Sequence, residues 1–188
     1  MQLVLATHNP HKTREFARLL PGVELVPLPG DVELPPETGD TFAANALGKA
    51  RAAAAATGRA AIADDSGIEA EALGGRPGVR SARFAGPRAT DAENLALLRA
   101  EAPPGSGLRY VCVLAHASPD GHEQTFEGRC EGTLAGEERG SGGFGYDPVF
   151  VPHGDASGRT MAELSEHEKD AISHRGVAAR ALQAWLAS

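Results

Sequence analysis

Asp64 and Asp65 stand side by side after a short apolar run, residues 60–63, and are followed by Ser66 and Gly67. The run reads as a buried strand that ends on the two acids. Strand ends in α/β proteins are where loops face a crevice and chemistry collects. Two carboxylates in such a place are costly unless a cation satisfies them. Mg2+ is the simplest such cation, because it takes one or two carboxylates together with phosphate oxygens. Asp, Ser and Gly are equally at home in an ordinary turn, and on its own this stretch fits a turn at least as well.

Three further stretches carry groups of the right kind. Residues 2–6 read as a buried first strand leading into a tight turn at Thr7, His8 and Asn9. Asn9 suits a helix cap and Pro10 the first helical position. A strand–turn–helix start leaves backbone N–H groups free to hold an anion. Lys12, in the first helical turn, opposes the helix dipole. A bound anion offsets that, although a solvated lysine is the plainer reading. Asn45 and Lys49 lie four apart on a second helix and can point the same way; a solvated face is the alternative. The glycine-rich segment 140–147 carries Phe144 and Tyr146. That composition brings backbone close to something flat.

The elements that must position these groups follow in order. The first helix runs to about Leu20, with Phe16, Leu19 and Leu20 inward. Residues 23–28 form a second strand, and a proline- and acid-rich loop, 27–39, carries Glu37. A long helix from Thr41 to Thr57 ends at Gly58, with Phe42, Ala46, Leu47, Ala50 and Ala54 as its buried stripe. Residues 68–73 look strand-like, and 74–86 form a loop bearing Arg76, Arg80 and Arg83. Thr90 with Glu93 makes a capping box for a helix through Arg99. Strands at 108–117 and 122–134 flank a hairpin turn at 118–121. A strand-like piece at 148–151 and a second capping box, Ser165 with Glu168, precede a last helix over 174–187. That helix is expected to bury Val177, Ala181, Leu182 and Trp185. No repeat or linker appears, so residues 1–188 read as one α/β domain with a mixed sheet.

At 188 residues, 41% hydrophobic and 23% charged, the chain has an ordinary globular composition. Its net charge of −7 argues against a nucleic-acid polymer as partner. A small anion held by local cations remains compatible. Only Lys12, Lys49 and Lys169 are lysine, whereas 15 of the 18 basic residues are arginine. Lysine is a point-charge phosphate binder that arginine does not simply replace. Cys112 and Cys130 match no metal spacing and read as buried free thiols. The N-terminus carries no signal pattern and no apolar run is long enough for a membrane span, so a cytoplasmic protein with no membrane partner is expected.

Taken together, the chain resembles the inosine triphosphate pyrophosphatase family, which hydrolyses non-canonical purine nucleoside triphosphates. The matching segments, in order, are 5–9 with Lys12, 37–39 with Thr41, Phe42, Asn45 and Ala46, 63–67, 81–83, 142–148, 162–164, and Lys169 with 172–176. The resemblance implies a long central mixed sheet flanked by helices, with two lobes and a nucleotide cleft between them, in a homodimer. It also implies Mg2+-dependent cleavage of ITP, dITP or XTP between the α- and β-phosphates, giving a monophosphate and pyrophosphate. Thr7, His8, Asn9, Pro10, His11 and Lys12 would hold the phosphates, with His8, Pro10 and His11 the weaker side-chain contributors. Asp65 would be general base and metal ligand, Glu37 a second ligand, and Ser66 a nucleotide contact. Phe144 would stack on the base, Gly145, Tyr146 and Asp147 would shape its pocket, and Lys169, His174 and Arg175 would reach the purine or its phosphates. Ala44 stands where relatives often carry Glu.

Two other classes compete. A haloacid-dehalogenase-like phosphatase needs its two carboxylates one residue apart, whereas Asp64 and Asp65 are adjacent. A non-catalytic nucleotide sensor needs the anion loop and base pocket without the acids, so Glu37 and Asp65 discriminate. A related triphosphatase family acting on modified pyrimidines shares the opening strand–loop–helix but lacks the 144–147 and 174–175 segments.

Overall fold

A computed structural model describes all 188 residues, Met1–Ser188. The strands are β1 (Gln2–Leu5), β2 (Glu24–Pro27), β3 (Ala61–Ala70), β4 (Gly107–Ala117), β5 (Glu123–Leu134) and β6 (Phe150–Pro152), and the helices are α1 (Pro10–Leu19), α2 (Phe42–Thr57), α3 (Asp91–Glu101), α4 (Glu166–Ile172) and α5 (His174–Leu186). The strands form one six-stranded sheet in the order β2-β1-β3-β4-β5-β6. β1 pairs in parallel with both β2 and β3, Leu5 standing opposite Pro27 and Ile62. Parallel neighbours need crossovers, which α1 and α2 supply. β6 runs antiparallel to β5. The sheet is therefore mixed and flanked by helices, as expected.

Local chemistry sets the element ends. Asn9 caps α1, its side chain accepting from the His11 and Lys12 N–H groups at 2.8 and 3.4 Å. Thr41 caps α2 through the Ala44 N–H, and Gly58 closes that helix in the left-handed conformation. Both capping boxes form, Thr90 with Glu93 and Ser165 with Glu168.

The chain divides into two compact units. One comprises residues 1–65, 112–128 and 175–188, and the other residues 66–111 and 129–174, so the boundaries fall inside β3, β4 and β5 and after the first residue of α5. The first unit is cored by Leu3, Leu5, Phe16, Leu20, Ile62, Leu114 and Leu182. The second is cored by Ile68, Leu98, Leu108, Val149, Phe150 and Met161. Cys112 and Cys130 are buried free thiols, and burial raises both, Cys130 to about 12.

Four sequence expectations are corrected. The strand does not end before Asp64; β3 runs on through both acids to Ala70, because the acids' charges are met by other elements and the backbone ladder need not break. In α2 Leu47 is only half-buried while Asn45 and Lys49 are inside, so the polar pair, not Leu47, faces inward. In α5 Ala181 is exposed and Ala178 and Ala179 are fully buried instead, a slip of about one residue in helical phase that small side chains conceal. The loop at 74–86 contains a 3-10 helix, Gly78–Arg83.

Candidate active site

In the first unit, α1, α2, α5 and β3 bring a group of charges together. Asp64 and Asp65 are 1% and 4% exposed. Side chains alternate along a strand, so the two neighbours meet different partners. Lys12 Nζ lies 2.8 Å from Asp64 Oδ2, and Arg175 Nε stands 3.8 Å from the same oxygen. Arg175 also donates to Glu15 at 3.0 Å. Lys49 donates to the Asp64 carbonyl at 2.6 Å and to Glu37 at 2.5 Å. Asp65 accepts from the Asn45 amide at 2.8 Å.

These surroundings push the two acids apart. Burial acts to raise Asp64, but Lys12, Arg175 and Lys49 outweigh it and hold the carboxyl below the usual range. Burial also raises Asp65, and Glu37 adds to the push. Lys49, the Asn45 amide and Lys12 offset only part of it, so Asp65 sits above its ordinary value. Burial lowers Lys49, yet Asp64, Glu37 and Asp65 reverse this and leave it raised. Adjacent titratable groups driven in opposite directions are the usual mark of divided roles. Asp64 anchors the cations, and Asp65 is the more basic carboxylate.

The donor set also bears on a metal. No cluster of three or more His, Cys, Asp or Glu forms a protein-only cage. Glu37 and Asp65, two carboxylates close enough to repel one another, match the one or two that Mg2+ takes when phosphate oxygens and waters complete its shell. The residues present fit that ion.

The second unit holds a different arrangement around Asp147. This side chain accepts from Lys169 Nζ at 2.7 Å, Tyr110 Oη at 3.1 Å and the Phe144 N–H at 2.9 Å. Lys169 Nζ lies 5.5 Å from the Phe144 ring centroid. The Gly145 N–H donates to Asp91 at 3.0 Å, and Tyr146 Oη donates to the Ser81 carbonyl at 2.7 Å. Gly143 has φ +70°, and a Cβ there would meet Asp147 Oδ2 at 2.0 Å; only glycine lets the loop close over that carboxylate. His174 stacks on Tyr110, centroids 4.6 Å apart. The result is a half-buried aromatic, Phe144, whose backbone N–H is tied to the Asp147 carboxylate.

Each residue singled out in the sequence therefore has a place. Glu37, Lys12, Asp65 and Arg175 gather in the first unit. Thr7 accepts from the Asn9 N–H at 3.1 Å. Pro10 opens α1, and His8 and His11 are exposed, His11 meeting Arg14 at 3.0 Å. Phe144, Gly145, Tyr146, Asp147, Lys169 and His174 gather in the second unit, which also contains the half-buried Ser66. Glu15 and Tyr110 were missed. Glu15 lies one helical turn after Lys12, a spacing that was readable; nothing local marks Tyr110.

A model of the Ham1 family matches residues 3–185. The chain is 51% identical over 187 residues to a dITP/XTP pyrophosphatase of Symbiobacterium thermophilum, covering 97% of this chain and 93% of the relative. It is 50% identical to a dITP/XTP pyrophosphatase of Deinococcus deserti, with 97% and 88% covered. Among solved structures, a HAM1 protein from Coxiella burnetii superposes with a TM-score of 0.87 at 41% identity, covering 100% of this chain and 98% of that one. A nucleoside-triphosphatase / dITP/XTP pyrophosphatase from Mycobacterium abscessus gives 0.77 at 47% identity, with 99% of each chain covered. At these identities and coverages, the chain belongs to the Ham1 family.

Proposed function

We propose that this chain is a nucleoside triphosphate pyrophosphatase that hydrolyses ITP, dITP and XTP to the monophosphate and pyrophosphate, clearing them from the nucleotide pool. The observation that carries the reading is the split pair. Asp64 is pinned as an anion by three cations, and Asp65 beside it is made more basic by burial and Glu37. A non-catalytic nucleotide sensor has no use for a buried carboxylate held in that state.

In the reaction a water oxygen forms a bond to the α-phosphorus. The bond from that phosphorus to the oxygen bridging the β-phosphate breaks, and pyrophosphate leaves with the electron pair. Asp65 takes the proton from the water, and its raised basicity suits it to the task. Lys12 and Lys49 place positive charge where the phosphates' negative charge must be met. Glu37 and Asp65 would hold Mg2+, which when bound neutralises phosphate oxygens and aligns the triphosphate. The second unit supplies an aromatic face, Phe144, of the kind on which a purine stacks. Lys169, 5.5 Å from the Phe144 ring centroid, and His174, stacked on Tyr110 in the same unit, carry donors able to favour a 6-oxo purine, since an amino group set against a donor leaves it unpaired.

The whole chain acts as one catalytic domain, working as a homodimer in the cytoplasm; no helix is long and apolar enough to cross a membrane. The test is a panel of ITP, dITP, XTP, ATP and GTP with Mg2+, separating pyrophosphate from orthophosphate. Pyrophosphate from the first three, well ahead of ATP, is expected. Orthophosphate as the first product, or equal rates on ATP and ITP, would overturn the reading.

A further inference from the structure

Asn45 is a buried polar side chain on α2 whose amide is used at both ends. Its Oδ1 accepts the Gly39 N–H at 2.8 Å, and its Nδ2 reaches back to the Gly39 carbonyl at 3.5 Å. The same Nδ2 donates to Asp65 Oδ2 at 2.8 Å. The amide's orientation is chemically fixed, because a backbone N–H must face the oxygen and a carboxylate must face the nitrogen. Gly39 lies two residues after Glu37, in a stretch, Thr38–Asp40, with no helix or strand of its own. A second observation shows how tight the seat is. A Cβ added to Gly39 would meet Asn45 Oδ1 at 2.8 Å and Ala44 Cβ at 3.0 Å. The loop therefore docks on Asn45 because residue 39 is glycine, and one side chain ties the segment bearing Glu37 to the carboxylate of Asp65.

From this geometry we infer that Asn45 is a positioning residue that sets Glu37 and Asp65 relative to each other, and so the affinity of the pair for a divalent ion. The inference rests on the proposed function, in which those two carboxylates hold Mg2+. Asp65 repels Glu37 and is itself buried. Without a tether, the loop is free to swing Glu37 away and relieve that repulsion. Lys49 acts on other atoms of the cluster, donating to Glu37 and to the Asp64 carbonyl, whereas Asn45 donates to the Asp65 carboxylate itself. Groups that orient metal ligands in this way typically change metal affinity or activity about 10–100-fold when removed.

The test compares Asn45→Ala and Asn45→Asp with Thr41→Ala. Thr41→Ala loses a cap on the same helix without touching either carboxylate, so it reports what simple destabilisation does. Asn45→Asp keeps an acceptor for the Gly39 N–H but sets a like charge against Asp65. Two readouts are taken on each full-length protein. One is the Mg2+ concentration for half-maximal ITP turnover. The other, independent of turnover, is the Mg2+ dependence of the thermal shift produced by the non-hydrolysable α,β-imido analogue of ITP. Both Asn45 variants are expected to raise the Mg2+ midpoint about tenfold or more in both readouts, with kcat falling and KM for ITP at saturating Mg2+ little changed. Thr41→Ala should leave both midpoints at the wild-type value. Should Asn45→Ala not fold, Asn45→Asp carries the same test. Wild-type Mg2+ midpoints in a folded Asn45 variant, or equal shifts in Thr41→Ala, would overturn the inference. Full turnover by Asp65→Asn would instead remove the proposed function itself, so the two failures are distinguishable.

Discussion

Each compact unit buries an acid beside lysine, and the two acids are treated in opposite ways. Asp147, in the second unit, accepts from an ammonium, a phenol and a backbone N–H. A carboxylate so served holds the 144–147 turn together. Asp65, in the first unit, accepts from the Asn45 amide, and burial with Glu37 raises it more than Lys49, that amide and Lys12 lower it. Buried charge costs free energy unless it is compensated. The fold compensates Asp147 and Asp64 and leaves Asp65 raised, which on the proposed function separates an acid kept for structure from one kept for chemistry.

The sharpest way to break that contrast is to neutralise one acid in each unit. Asp65→Asn is expected to lower kcat for ITP by about 10²–10⁴-fold, the usual contribution of a positioned base. Its stability should move the other way. The folded pKa of Asp65 is raised, so above that pKa its ionised form opposes folding. An amide removes the opposition and still accepts from Asn45, so the melting temperature at pH 7 should rise. Asp147→Ala reverses the sign. It leaves the buried Lys169 ammonium without its carboxylate, a loss of about 3–5 kcal/mol, read by urea denaturation. If both variants destabilise alike, the distinction between the two acids fails.

A smaller effect sharpens the role given to Phe144. Stacking of a base on an aromatic ring contributes about 1–3 kcal/mol, so Phe144→Ala should raise KM for ITP about 5–150-fold with kcat nearly unchanged. Inhibition by inorganic pyrophosphate, which carries no base, should not change. Weakened pyrophosphate inhibition would place Phe144 in the handling of phosphates.

Much of this was legible in the chain because it is written locally. Asn9 with Pro10, Thr41, Gly58 and both capping boxes depend on residues within one helical turn, and each formed as read. The acidic pair was singled out in the sequence, yet the strand carrying it runs further than its composition suggests. Asp-Asp-Ser-Gly has turn composition, and what keeps β3 extended through it comes from Lys12, Asn45, Lys49 and Arg175, on three helices remote in sequence. Lys12 shows the same thing from the other side. In sequence it asked for a bound anion or for solvent; in the fold the anion is Asp64, an internal one. The phase of α5 was misread because Ala178, Ala179 and Ala181 look alike to any hydrophobic pattern, and only packing tells them apart.

The last and smallest effect tests the cations around Asp64 directly. An unfolded aspartate titrates near 3.9, whereas Asp64 in the fold is held lower by Lys12, Arg175 and Lys49 against the cost of burial. As pH falls below about 4, the unfolded chain takes up a proton that the folded chain refuses. Stability contributed by Asp64 is therefore complete above that pH and is lost as pH falls toward the folded value. One such proton gives a slope of at most about 1.4 kcal/mol per pH unit. Unfolding free energies from urea titrations at pH 5, 4, 3.5 and 3 should fall more steeply for the wild type than for Asp64→Asn, the difference being confined to the acid end. Parallel curves would mean that the three cations do not hold Asp64 ionised, and the contrast between Asp64 and Asp65 would lose its electrostatic basis.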